Sequence, residues 1–176
     1  MKKEALEVLK NRRSIRKFKP DQVTKEELRT VLEAGTYAPT AAGTQAPVIV
    51  AVQNPDTVAK LDSMNAQVLN SPKMPHPYYG APTILVVLAP KDGYAPVQDA
   101  SLVAGNLMNA AYAAGLGSCW IHRGKEMFES EDGKALLRQW GLSDNLLGVA
   151  TIALGYPEGA HPDAAPRKNG YIVEID

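Results

Sequence analysis

Three arginines, a lysine and a serine fall within eight residues near the start of the chain, at 11–18 (NRRSIRKF). Arg12, Arg13 and Arg16 carry planar forks of N–H donors that match phosphate oxygens, and Ser14 adds a short hydroxyl donor for the same group. Each charge-assisted hydrogen bond of this kind is worth roughly 1.5–3 kcal/mol, so two of them with a backbone N–H would hold a monoester phosphate by its tail. The competing reading is a solvated charged face at a helix exit. Ser14 and Ile15 within the run, with Phe18 after it, favour an anion clamp, because a purely solvated tract has no need of them.

Other segments carry side chains suited to a ligand. Residues 38–47 (APTAAGTQAP) are small, bounded by prolines and without periodicity, which predicts an irregular loop. Such a backbone can approach a flat molecule closely, with Thr40, Thr44 and Gln45 at its polar edge, or it can be a plain connector. Residues 70–80 (NSPKMPHPYYG) form a stiff loop in which Tyr78 and Tyr79 either stack on an aromatic ligand or serve as loop packing. His76, His122 and His161 have neither metal-ligand spacing nor nearby cysteines, so no metal site is expected. Gly115-Leu116-Gly117 leaves a helix for a strand, the reverse of a dinucleotide-binding turn, and neither a Walker A sequence nor a G-x-S-x-G elbow is present. Cys119 lies in an apolar run and reads as a buried structural thiol.

The elements that must position these groups follow from the apolar patterning. The 176 residues suit one domain, 1–176, with a core that needs no disulfide. Nineteen basic residues balance nineteen acidic ones, so no global field favours nucleic acid or a membrane surface, and the clamp is a local excess suited to a small anion. A single cysteine, no signal-peptide pattern and no run long enough to span a bilayer predict a soluble cytoplasmic protein.

Apolar runs predict strands at 48–52, 83–88, 118–121 and 147–154, and the alternation at 171–175 (YIVEI) predicts a fifth. A first helix is expected over 3–10. Thr24 and Glu27 form a capping box opening a helix closed by Gly35, and Asn54 with Pro55 opens a helix that carries Asn65. Asp99 is expected to cap a long helix to about Ala114, and Ser130 another that ends at Gly141. The 99–114 helix is apolar or small nearly all round, so it must be enclosed by a sheet and helices or by a second subunit. Four or five strands with five helices predict an α+β or α/β layered domain on one sheet.

In order along the chain, RRSIRKF, an A-P-T loop ending in Gln45, the D-A-S-L helix leading into GLGSCWI, the LGYP turn, and PRK before the last strand resemble the nitroreductase family. The resemblance covers nearly the whole chain and implies an α+β fold, with a central sheet flanked by helices and a long buried helix at the interface of an obligate homodimer. It implies two FMN sites at that interface and NAD(P)H as a transient donor. Arg12, Ser14 and Arg16 would hold the FMN phosphate with Arg13 beside the ring or tail, and Arg167 and Lys168 would close the other side. Pro39, Thr40 and Ala41 would come from the partner subunit. Gln45 and Asn65 would meet the polar edge of the flavin, and the backbone of Ile121, His122, Arg123 and Gly124 would lie near its ring system. Tyr78 and Tyr79 would line the pocket for a nitroaromatic, quinone or similar acceptor. Gly43 and Ala46-Pro47 stand where many relatives have Asn and Pro-Trp, and His122-Arg123-Gly124-Lys125 is more basic than the version common elsewhere. Two other readings remain at this point: a flavoprotein of the same fold with another reaction, such as enone reduction or flavin handling, and a non-enzymatic anion-binding module.

Overall fold

The computed structural model describes residues 4–175. Its centre is β2 (Thr83–Pro90), in which seven consecutive residues are buried. Side chains alternate across a strand, and here the alternation divides two cores. Ile84, Val86 and Leu88 pack on one face, and Leu85, Val87 and Ala89 on the other. A strand covered on both faces reads as a continuous apolar run, which is why this segment is legible as central.

The four strands lie in the order β1-β2-β4-β3, with β1 at Val48–Val52, β3 at Gly117–Ile121 and β4 at Leu146–Gly155. All three pairings are antiparallel. A bulge at Val87/Leu88 moves the partner from Ala150 to Gly148. On one face lie α2 (Lys25–Thr36) and α4 (Pro96–Ala113), contributing Val31, Ala104 and Leu107. On the other lie α3 (Pro55–Leu69), α5 (Gly124–Glu129) and α6 (Glu131–Gln139), contributing Leu61, Phe128 and Leu137. Fully burying one such side chain contributes about 1.5–3 kcal/mol.

The capping box of α2 forms as its spacing predicts. The Glu27 backbone N–H donates to Thr24 Oγ1 (3.2 Å), and Glu27 Oε2 accepts from the Thr24 N–H (3.0 Å) and hydroxyl (2.6 Å). Tyr156, in the turn after β4, donates its phenol to the same oxygen at 2.6 Å, tying the helix to the sheet end. The Thr24 hydroxyl first, and Tyr156 next, hold the Glu27 carboxyl below its ordinary 4.5. A lowered carboxylate contributes stability that is present above the unfolded-state value and lost as pH falls through the native one. Thr24→Ala is therefore expected to cost about 1 kcal/mol, lowering the thermal midpoint by roughly 2–4 °C, and to flatten the stability loss below pH 4.5. Calorimetry across acid pH checks both effects.

Several boundaries differ from the sequence expectation. Gly35 does not end α2. It lies inside the helix and is buried, because a Cβ there would stand 2.6 Å from Leu107 Cδ2 and 3.0 Å from Ile49 Cδ1. Asp99 does not cap α4, which starts at Pro96. Asp99 sits in the first turn, where its carboxylate accepts the Ala41 N–H at 2.9 Å. The six-residue α5 was not expected, since it is too short to display a helical apolar repeat.

Helix α4 buries a stripe at 99, 100, 103, 104, 107 and 111 against the sheet and α2. Its reverse side is not enclosed within the chain, and Val97 and Leu102 are 49% and 48% exposed. The expected strand at 171–175 is absent. Tyr171, Ile172, Val173 and Ile175 are all exposed, and the segment pairs with no strand among the described residues. An alternating segment becomes a strand only where a sheet edge receives it. The arm reaches the body near its start, where His161 meets the Tyr112 ring at 5.4 Å. No helix among the described residues is long and apolar enough to cross a membrane.

Candidate functional site

Helix α1 (Ala5–Asn11) ends at Arg12, whose N–H bonds the Val8 carbonyl, and the clamp then runs extended along β3. Ser14 bridges Ser118, and the Ile15 N–H donates to the Ser118 carbonyl at 3.0 Å. Ile15 is buried over Gly117, where a Cβ would approach its Cγ1 to 2.9 Å. The two apolar residues of the motif, Ile15 and Phe18, thus pin the segment to the core, and Arg16 remains exposed between them.

The arginines have different tasks. Arg13 Nη1 donates to the carbonyls of Lys10 (2.8 Å) and Arg12 (2.7 Å), closing the C-terminal end of α1. Arg12 Nη1, Arg13 Nε and Ser118 Oγ are buried without a hydrogen-bond partner. A buried polar group left unpaired costs about 1–3 kcal/mol. Arg13 is already held by its Nη1 bonds, and Arg12 Nη1 and Ser118 Oγ are left as donors for which this single chain supplies no acceptor.

Beside Arg16, a cavity of about 340 Å³ opens between the end of β3 and the 70–80 loop. Trp120, Ile121, His122 and Arg123 form one wall, and Met74 and Tyr79 the other. Arg123 precedes α5 in the left-handed region (φ 79°), which costs a non-glycine residue roughly 1–2 kcal/mol. A specific tether offsets this. Arg123 Nε donates to Asn65 Oδ1 at 2.9 Å, and Asn65 Nδ2 donates to the His122 carbonyl at 2.9 Å.

Asn65 is fully buried on α3, with both ends of its amide engaged. Through these bonds it sets the β3–α5 turn. Asn65→Ala is expected to destabilise the fold by roughly 2–3 kcal/mol, because it orphans the Arg123 Nε and the His122 carbonyl together. The denaturation midpoint checks this.

Tyr78 takes the packing role of its two readings. It is 1% exposed, with its hydroxyl 3.7 Å from Met127 Sδ and its N–H donating to Asp62 Oδ1 at 3.1 Å. Burial pushes its phenol far up from the ordinary value of 10.0. The ring packs in the core and does not line the cavity beside Arg16. Tyr79 is half-buried and does line the cavity. The same loop contributes Lys73 to the lining, a residue the sequence reading passed over because its neighbours Pro72 and Met74 offered no pattern.

The remaining expected residues are not gathered at this cavity within one chain. The 38–47 loop contains a short 3₁₀ turn, Ala41–Gly43, with positive φ at Ala42 (52°), Gly43 (67°) and Gln45 (50°). Asp99 and the Thr40 hydroxyl, which accepts the Gln45 N–H at 2.9 Å, hold it in that shape. Pro39, Thr40 and Gln45 line a different concavity, of about 730 Å³, which shares no residue with the first. Arg167 donates to the Ala165 carbonyl, and Lys168 Nζ lies 5.6 Å from the Tyr171 ring centre, contacts internal to the C-terminal arm. A further cavity of about 430 Å³, bordered by Gln22, Gln53 and Asp62, has its amides engaged with backbone carbonyls.

Comparison with known proteins agrees with this architecture. The model of the Nitroreductase family matches residues 9–156. The chain is 28% identical over 160 residues to an Archaeoglobus fulgidus protein provisionally named an NADH dehydrogenase/NAD(P)H nitroreductase, covering 88% of this chain and 86% of that one. The crystal structure of a nitroreductase with bound FMN from Bacteroides fragilis superposes with a TM-score of 0.88 at 27% identity, covering 99% of this chain and 100% of that one. An FMN-dependent nitroreductase from Clostridium difficile gives a TM-score of 0.83 at 25% identity, covering 98% and 99%. The match spans the clamp, the cavity wall and all four strands, and the chain belongs to the nitroreductase family of oxidoreductases.

Proposed function

We propose that the protein is an FMN-dependent NAD(P)H oxidoreductase that reduces nitroaromatics, quinones or similar small electron acceptors in a ping-pong cycle. The observation that carries this reading is the clamp itself: buried donors on Arg12 and Ser118 with no acceptor in the chain, in a segment whose Arg16 lines the cavity at the end of β3. Their chemistry fits a phosphate tail, with Arg12, Ser14 and Arg16 as first holders. FMN supplies hydride transfer, so the protein needs to hold and orient rings rather than provide a nucleophile. The backbone of Ile121, His122, Arg123 and Gly124 would border the ring system, and Asn65 would keep that backbone in place.

The remaining site residues enter through a second copy of the chain. Pro39, Thr40, Ala41 and Gln45 would face the partner's clamp, and Arg167 and Lys168 would reach the phosphate from the C-terminal arm. Three observations support a homodimer: the half-exposed apolar side of α4, the exposed apolar arm, and the separate concavity that holds the 38–47 loop. The lone Cys119 is buried and unpaired, in keeping with a cytoplasmic enzyme. Anaerobic stopped-flow spectroscopy tests the activity. NADH or NADPH is expected to bleach the visible flavin band, and a nitroaromatic or quinone to restore it. A flavin-loaded protein whose band responds to neither donor would overturn the proposal.

A further inference from the structure

We infer that the physiological acceptor carries an acidic group, such as a carboxylate or sulfonate on a flat aromatic frame, and that Lys73 and Arg123 receive it. This rests on the oxidoreductase reading above and adds the substrate class. The protein as a whole is electrically neutral, yet the 340 Å³ cavity is lined by Arg16, Lys73 and Arg123, with His122 beside them and no Asp or Glu. Some cations elsewhere are paired, Lys17 with Glu158, Lys134 with Glu131 and Arg138 with Asp144. Among the described residues, none of the three cavity cations has an acidic partner.

A charge count divides the work. A phosphate monoester carries about −1.5 to −2 at neutral pH, which Arg12 and Arg16 match before Arg167 and Lys168 of the C-terminal arm are counted. Lys73 and Arg123 are left over, in a partly enclosed space where charges are screened less than on open surface. Arg123 is also preorganised. Its backbone is fixed at φ 79° and its Nε is tied to buried Asn65, while its two Nη groups have no protein partner among the described residues. A guanidinium held in this way presents a fork that matches a carboxylate. Met74 and Tyr79 on the opposite wall offer a polarizable, aromatic surface for the frame that bears the anion.

For a nitro acceptor the two-electron step balances as Ar–NO2 + NAD(P)H + H+ → Ar–NO + NAD(P)+ + H2O. One N–O bond breaks, the donor's hydride supplies the electron pair, and the oxygen leaves as water. The acidic group takes no part and serves only to hold the molecule.

The test compares 4-nitrobenzoate with 4-nitrobenzamide, near-isosteres that differ in charge, on the flavin-loaded protein. The amide is the better electron sink, so intrinsic reactivity opposes the expected preference. A kcat/KM ratio of about tenfold in favour of the benzoate is expected, residing in KM, and it should shrink at high salt and in Lys73→Gln. Lys73 is exposed on its loop, so this variant does not threaten folding. Binding of benzoate against benzamide, read from perturbation of the flavin spectrum, should show the same ratio without turnover. Equal handling of the two pairs by a protein that cycles its flavin would overturn the acidic acceptor and leave the oxidoreductase reading intact. A preference for NADPH over NADH with no benzoate preference would assign these cations to the donor's phosphate and also overturn it. A protein that holds no flavin would remove the oxidoreductase reading first.

Discussion

Arg12→Ala combined with Arg16→Ala is expected to strip the protein of FMN while leaving it folded. Two charge-assisted hydrogen bonds to a phosphate are worth about 3–6 kcal/mol together, which corresponds to a loss of roughly two to four decades in affinity. Neither side chain belongs to the core, which in this segment consists of Ile15 and Phe18. The far-ultraviolet circular dichroism of the double variant should therefore match that of the parent while the purified protein loses its colour. Arg13→Ala is an informative companion. Its guanidinium is committed to the carbonyls of Lys10 and Arg12, so its loss should fray the end of α1 and leave most of the flavin bound. If Arg13→Ala released flavin as completely as the double variant, the division of labour within the clamp would be wrong.

The second large effect lies behind the site. Gly148 sits at the β4 bulge, and a Cβ there would fall inside the contact radius of the Gly124 carbonyl oxygen and 2.8 Å from Phe128 Cδ2. Gly124 opens α5 immediately after Arg123. Because the obstacle is backbone, Gly148→Ala cannot be relieved by a rotamer change and should cost about 3 kcal/mol, the upper part of the usual overpacking range. For a chain of this size that lowers the thermal midpoint by roughly 6–12 °C. The displacement required is that of α5 away from the sheet, which carries Arg123 with it, so flavin affinity should fall together with stability. Calorimetry with a flavin titration measures both, and a variant of unchanged midpoint would show that α5 does not need this close approach.

The parts of the fold legible in the sequence are those whose signal is local. The runs at 48–52, 83–88, 118–121 and 147–154 lie within the observed strands, because strands covered on both faces need continuous apolar residues. The cap residues Thr24, Asn54 and Ser130 stand where they were expected, because a side-chain oxygen two or three residues from an orphan N–H is a short-range device. What escaped depends on distant partners. Gly35 reads locally as a stop signal and is in fact a packing contact with Leu107, far along the chain. Asp99 reads as a cap and instead holds the loop at Ala41, 58 residues away in sequence.

The candidate site shows the same division. The clamp is visible because its residues are contiguous, and its apolar anchors Ile15 and Phe18 are part of the pattern. Asn65 is visible as a polar residue on an amphipathic helix, but its bonds to His122 and Arg123 depend on how α3 meets the β3–α5 turn, which no local spacing encodes. Tyr78 and Tyr79 are adjacent and chemically identical, yet one fills the core and the other lines the cavity. The backbone turn between them, with Tyr79 at φ 56°, makes that choice. The C-terminal arm carries the alternation of a strand and pairs with none among the described residues, since alternation is local and the sheet edge that must receive it is not.

The central claim is that the clamp holds the phosphate of a flavin. The most direct measurement is the visible absorption spectrum of the freshly purified protein, followed by identification of the chromophore that denaturation releases. The account predicts a yellow protein that releases FMN, close to one per chain. A colourless protein that also takes up no added FMN would contradict it.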